Sequence, residues 1–198
     1  MKTYSGISSE KTTIGFAMCG SFCTLSRALD QMQILKKSGY DILPIMSFNV
    51  FNLDTKFGKA NDFIERAEQI SGKSVIHNIT GAEPIGPKNM ADILVAAPCT
   101  GNTLAKFCNG ITDTPVTMAI KSQLRIRKPV VIALASNDAL GNSAQNLGKA
   151  INIKNVFFTP MSQDDPESKP NSLVAHFEKL PETIDYALKN KQIEPIFT

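Results

Sequence analysis

Three short stretches combine glycine with hydroxyl and amide side chains where an apolar run gives way to a helical pattern. The first, residues 17–22, reads Ala-Met-Cys-Gly-Ser-Phe. A glycine turn of this kind lets backbone N–H groups and the Ser21 hydroxyl face an anion, helped by the positive end of the helix that follows. It carries neither a GxGxxG fingerprint nor a P-loop lysine. A phosphate site at Gly20 and Ser21 and a plain strand-to-helix turn therefore both stay open. The second stretch, residues 96–103, reads Ala-Ala-Pro-Cys-Thr-Gly-Asn-Thr. Here Asn102 or Thr103 could be a helix N-cap, the common use of such residues, or could turn a donor towards a ligand. The third, residues 135–141, reads Ala-Ser-Asn-Asp-Ala-Leu-Gly.

Metal chemistry has little behind it. Cys19, Cys23, Cys99 and Cys108 form no CxxC pair, the two histidines (His77 and His176) stand in unrelated contexts, and a zinc site needs about four ligands. Free, buried thiols in a reducing compartment are expected, with no metal.

The elements that must position these stretches follow from periodicity. Strands are expected at Thr13–Met18, Asp41–Met46, 74–77, 91–97, 129–135 and 155–158. The 91–97 run is almost purely apolar, as in a parallel strand covered on both faces. Pro44 inside the second run favours an edge or irregular strand. Helices are expected at 22–38, 59–71, 102–109, 115–122, 142–150 and 173–189, with Leu25, Leu29, Met32 and Leu35 setting the spacing in the first. Gly39 and Gly72 close two of them. Residues 80–88 read as a loop, and residues 163–171, with Pro166 and Pro170, as a loop or a mobile flap. Strand and helix in alternation predict a doubly wound, mostly parallel α/β sheet with helices on both faces, in one domain. Ligands of such sheets bind off the carboxyl ends of the strands, where the strand order switches, which selects the three stretches above.

Composition excludes several classes. The formal charge of +3 over 198 residues is small and scattered, and the densest run, 121–128, has no interleaved aromatics, so nucleic acid is not expected as a partner. Apolar runs are far too short for a membrane span. Residues 1–12 lack the apolar core of a signal peptide, so a cytoplasmic location is expected.

The continuation through residues 104–113, Leu-Ala-Lys-Phe-Cys-Asn-Gly-Ile-Thr-Asp, extends the second stretch into a longer pattern. From Ala91 to Asp113 the chain resembles the flavoprotein family of flavin-dependent cysteine decarboxylases. The match runs through Ala91–Asp92, Ala97–Pro98, Asn102–Thr103, Ala105–Lys106, Asn109–Gly110–Ile111 and Asp113. The resemblance implies an FMN-type site. Gly20 and Ser21 would hold the phosphate with Phe22 next to them and Ser47 beside. Pro98, Thr100, Gly101, Asn102 and Thr103 would line the ring and ribitol pocket. Lys106 resembles the family lysine, an exposed cation being the alternative. Ser136 and Asn137 take the place of a P-A-M-N clamp that is missing here. The decarboxylases carry a catalytic histidine shortly before their Ala-Asp strand. His77 lies further from Ala91–Asp92, so it is a candidate acid or base with a structural role as the alternative, and His176 is expected at the surface.

Residues 82–88, 136–141 and 163–175 are further similar to a branch of the family that forms one subunit of a two-subunit oxidising synthase. That implies a partner subunit holding NADP, a small dianionic substrate, a homo-oligomer (trimer or dodecamer) and the mother-cell cytoplasm of a sporulating bacterium. The alternatives are a stand-alone FMN-dependent decarboxylase or prenyltransferase relative, and a regulatory subunit with a degenerate flavin site.

Overall fold

A computed structural model describes residues 11–198. In chain order the elements are β1 (Thr13–Met18), α1 (Phe22–Lys37), β2 (Asp41–Met46), α2 (Phe48–Asn52), α3 (Ala60–Ser71), α4 (Ile79–Ala82), β3 (Ile93–Cys99), α5 (Gly101–Cys108), α6 (Pro115–Arg125), β4 (Val130–Ser136), α7 (Ala144–Ile151), β5 (Val156–Phe158), β6 (Met161–Ser162), β7 (Leu173–Ala175) and α8 (Leu180–Ala187). They build a seven-stranded sheet of order β2-β1-β3-β4-β7-β6, with β5 also paired to β4. β1 pairs in parallel with β2 and β3, and β3 and β5 pair in parallel with β4. The expected mostly parallel, doubly wound architecture is present.

Period-two alternation sends successive strand residues to opposite faces. Ile14, Phe16 and Met18 of β1 face α1, α3 and α8 through Leu25, Leu29, Phe63, Ala67 and Ile184. Ala17 and Cys19 face the other side, with Leu104, Val116, Ala119 and Leu147 of α5, α6 and α7. Every residue of β3 and β4 is buried, which explains their unbroken apolar character.

From β1 the chain moves outward to β2, then returns to the other side of β1 to lay down β3. The strand order thus switches between β1 and β3, and a crevice opens beyond their carboxyl ends. The end of β3 is irregular. The pairing with β4 shifts register between Ala96 and Cys99, around the cis Ala97–Pro98 bond, because Pro98 has no N–H to give the ladder. Pro44 sits in β2 on the flank of the sheet, where the Ile76 N–H donates to its carbonyl at 2.9 Å.

Several expectations are corrected. Residues 74–77 make a single bridge, Ile45 with Ile76, rather than a strand. The 80–88 loop contains α4 and a 3-10 turn, Glu83–Ile85. The expected helix 173–189 begins as the strand β7, because Leu173 and Ala175 alternate inward and pair antiparallel with Ser136 and Ala135 of β4. It becomes helical only at Phe177–Lys179 and α8. The short α2 was not expected. Ser47 caps it, its side chain accepting from the Val50 N–H.

Candidate functional site

Backbone hydrogen bonds knit the carboxyl ends of three strands into one floor. The Cys19 N–H donates to the Pro98 carbonyl at 3.0 Å, and the Ser47 N–H to the Met18 carbonyl at 2.9 Å. On this floor stand the N-termini of α1 and α5. A Cβ at Gly20 would lie 3.3 Å from the Phe22 ring and 3.4 Å from Asn49 Cβ, so the missing side chain lets α2 close onto the turn. Ser21 occupies the N-cap of the 16-residue α1, but no side chain caps that end and no acidic residue lies in the first turn. The Ser21 hydroxyl is anchored by Thr24, whose Oγ1 donates to it at 3.0 Å. An uncapped helix N-terminus beside a glycine turn presents partial positive charge to whatever enters the crevice.

At α5 the chemistry is divided. Thr100 caps the helix, accepting from the Thr103 N–H at 3.2 Å. Thr103 turns inward, donating from Oγ1 to Cys19 Sγ at 3.2 Å. Asn102 is exposed at the mouth, and α5 also has no acidic residue in its first turn. Gly101 is where α5 meets the β4–α7 loop. A Cβ there would stand 2.6 Å from Ser136 Oγ, 2.9 Å from Asp138 Oδ1 and 3.1 Å from Ser143 Oγ. Those side chains form a closed unit, with the Ser136 and Ser143 hydroxyls donating to the two Asp138 oxygens at 2.6 and 2.9 Å. These two hydroxyls hold the Asp138 carboxyl below its ordinary value.

Beneath the floor lie Cys19 and Cys99, both buried. The Cys99 thiol is held well above its ordinary value, by its bond with Cys19 and by burial. The same bond draws Cys19 down, against burial and with help from Thr103. These thiols pack and hydrogen-bond, and neither reaches solvent. Cys23, in the first turn of α1, is exposed.

The structure brings Gly20, Ser21, Phe22, Ser47, Pro98, Thr100, Gly101, Ser136 and Asn137 to the carboxyl end of the sheet, with Asn102. Thr103 points into the core instead. Lys106 is turned away to both oxygens of Asp113, each at 2.9 Å. His77 follows the Ile76 bridge on the outer flank of β2 and stacks on Phe51, with ring centroids 3.9 Å apart and planes 6° from parallel. His176 is half-buried rather than simply at the surface. Its Nε2 meets the Ser162 and Thr198 hydroxyls at 3.1 and 2.9 Å, tying the chain end to β6 and β7. Among the described residues no three His, Cys, Asp or Glu side chains converge as metal ligands.

Asn49, Phe51 and Asp138 belong to the neighbourhood but escape a reading by motif. The Ser-x-Asp spacing of Ser136 and Asp138 is a signal for Asp138, since such side chains bond locally within turns. Asn49 and Phe51 lie on the unexpected α2 and had no signal.

The chain is 43% identical to the B subunit of dipicolinate synthase of Bacillus subtilis (strain 168) over 183 residues, covering 92% of each chain. The crystal structure of the dipicolinate synthase B subunit from Bacillus halodurans C superposes with a TM-score of 0.87 at 42% identity, covering 94% of this chain and 96% of that one. The FMN-dependent cysteine decarboxylase SpaF shares the fold, with a TM-score of 0.67 at 19% identity over 90% of this chain and 95% of that one. The family described as Flavoprotein matches residues 2–187. This chain is a homologue of the dipicolinate synthase B subunit, and it belongs to the Flavoprotein family.

Proposed function

We propose that this chain works as the B subunit of a dipicolinate synthase, together with an A subunit, in sporulation. The observation that carries the reading is the end-to-end relationship to the dipicolinate synthase B subunit, at 43% identity with nothing large left over on either side. The reaction removes two electrons and two protons from a dihydrodipicolinate-level precursor, leaving the aromatic pyridine-2,6-dicarboxylate. A nicotinamide, NADP, on the A subunit would accept the hydride, and the second proton would pass to solvent.

The crevice suits a dianion. Two helix N-termini, α1 and α5, meet there without an acidic residue in either first turn, and the Asn102 amide stands at the mouth. Carboxylates accept from such donors in short, charge-assisted hydrogen bonds. The same features fit FMN. Phosphate would lie at Gly20, Ser21 and Phe22 beside Ser47, and Pro98, Thr100, Gly101 and Asn102 would line the ring and ribitol. The uncapped N-terminus of α1 at the Gly20–Ser21 turn is the structural feature favouring this fit. When bound, FMN would supply a two-electron acceptor. Thr103 and Lys106 do not join this set, because one is spent on Cys19 and the other on Asp113. Ser136 and Asn137 border it through the Asp138 unit. His77, at the carboxyl end of β2 with its ring face on Phe51, stands as the candidate acid or base.

Reconstitution of the pair tests the reading. With Asn102→Ala, dipicolinate formation falls about ten- to a hundred-fold, the cost of one hydrogen bond to a charged ligand. Lys191→Ala on the exposed tail leaves it unchanged. Equal rates for Asn102→Ala and the parent chain would remove the crevice from the reaction. Flavin absorbance retained by this chain after free FMN is removed, and lost in Asn102→Ala, would support the cofactor assignment separately.

A further inference from the structure

The excursion between β6 and β7, residues 163–172, has a position that strand register fixes. β7 runs antiparallel to β4, with Leu173 opposite Ser136 and Val174 opposite Ala135. The chain entering Leu173 therefore arrives from beyond the carboxyl end of β4, the end where Gly20, Thr100 and Asn102 lie. The Leu140 N–H ties it to the β4–α7 loop by donating to the Asn171 carbonyl at 3.0 Å. Internally the excursion is braced. Gln163 Nε2 donates to the Pro170 carbonyl at 2.8 Å, the Lys169 N–H to the Asp165 carbonyl at 2.8 Å, and the Ser172 N–H to the Lys169 carbonyl at 3.0 Å.

The charges on this rim are mostly negative. Asp164, Asp165 and Glu167 lie in the excursion and Asp138 beside it. A dicarboxylate approaching the crevice passes them and is repelled. Residues 163–172 contain one cation, Lys169. Its ammonium meets Asp164 Oδ2 at 3.1 Å. The Leu140–Asn171 tie sets the excursion against the β4–α7 loop, whose Ser136 meets Gly101 at the start of α5. Two other lysines are engaged elsewhere. Lys106 is gripped by both oxygens of Asp113, and Lys56 lies over the Phe57 ring at 5.2 Å. The Lys169 side chain is 54% exposed, and an exposed pair with one contact exchanges readily for a ligand carboxylate.

We propose that Lys169 receives one carboxylate of the dicarboxylate handled in the crevice, with Asp164 holding the ammonium in place until the ligand displaces it. The other carboxylate is left to the N-termini of α1 and α5. This rests on the synthase reading above and names a specificity-determining group within it. Lysine suits the task as a compact charge on a flexible stem that can follow its ligand into the crevice.

The test uses the reconstituted pair, together with calorimetric titration of this chain alone with dipicolinate. Lys169→Ala raises KM for the dicarboxylate and weakens dipicolinate binding, each about two- to fivefold, while kcat changes little. Lys169→Arg keeps the charge and recovers most of both. Because Lys169 is exposed, all forms keep the parent's thermal unfolding. An unchanged KM in Lys169→Ala, or no measurable dipicolinate binding by the parent chain, would overturn the assignment. If the parent chain gave no increase in dipicolinate over the A subunit alone, the synthase reading itself would fail. If the parent works and Lys169→Ala matches it, only the role of Lys169 falls.

Discussion

Gly101 carries the tightest constraint in the crevice. Its hydrogen faces Ser136, Asp138 and Ser143, which are bonded to one another and cannot each swing aside without breaking that unit. Gly101→Ala therefore pushes the β4–α7 loop away from α5. Overpacking of this kind typically costs about 1–3 kcal/mol, and chemical denaturation should show a loss in that range alongside weakened ligand binding. A near-neutral Gly101→Ala would mean that the Asp138 unit is loose. Thiol reactivity gives a second check at this scale. Cys23 is exposed, whereas Cys19 and Cys99 are free thiols buried in the core. Iodoacetamide should modify Cys23 first and reach the buried pair only after unfolding, as mass spectrometry of the native and denatured chain would show.

At the scale of elements, the contact of α6 with the turn after α4 depends on Gly86. Its N–H donates to Ser122 Oγ at 2.8 Å, and a Cβ there would fall 2.0 Å from the Ser122 carbonyl oxygen. The obstacle is backbone, so Gly86→Ala should sit at or above the upper end of the roughly 1–3 kcal/mol that overpacking costs. A melting temperature within a degree or so of the parent's would contradict this packing. The starts of β1, β3 and α6's exit are pinned by Asp92, which accepts from the Thr13 N–H at 2.9 Å and pairs with Lys128 at 3.0 Å. Burial pushes Asp92 up, but the Thr13 N–H and Lys128 outweigh it and leave the carboxyl below its ordinary value. A carboxyl lowered by folding stabilises the protein above its unfolded pKa, and that contribution is lost as pH falls. Urea midpoints should therefore drop below about pH 4, and less steeply in Asp92→Asn.

Periodicity made the long elements legible, since β1, β3, β4 and α1 bury whole faces and their sequences say so. The elements that were missed are short and depend on distant partners. β7 is a three-residue strand only because the outer edge of β4 is open at Ala135 and Ser136, and α2 is one turn held by the Ser47 cap. The crevice was legible where it coincided with glycine turns. It was not legible at Thr103 and Lys106, whose residue types suit a ligand but whose partners, Cys19 and Asp113, became visible only in the fold.

For the whole molecule, three exposed apolar side chains fall in one short segment. Phe48, Leu53 and Phe57 follow β2 and are 40%, 48% and 49% exposed, on the flank that also carries His77. An exposed apolar segment of this kind fits the homo-oligomer that the family resemblance implies. Light scattering at micromolar concentration should report a multiple of 21.5 kDa, and the monomer mass would count against that assembly. The central claim concerns two chains rather than one. Its most direct test is the rate of dipicolinate formation by the A subunit at fixed concentration, with this chain titrated in and the dihydrodipicolinate-level precursor and NADP supplied. The account predicts little product without this chain and a saturable rise as the two reach equal amounts. Full dipicolinate output from the A subunit alone would contradict it.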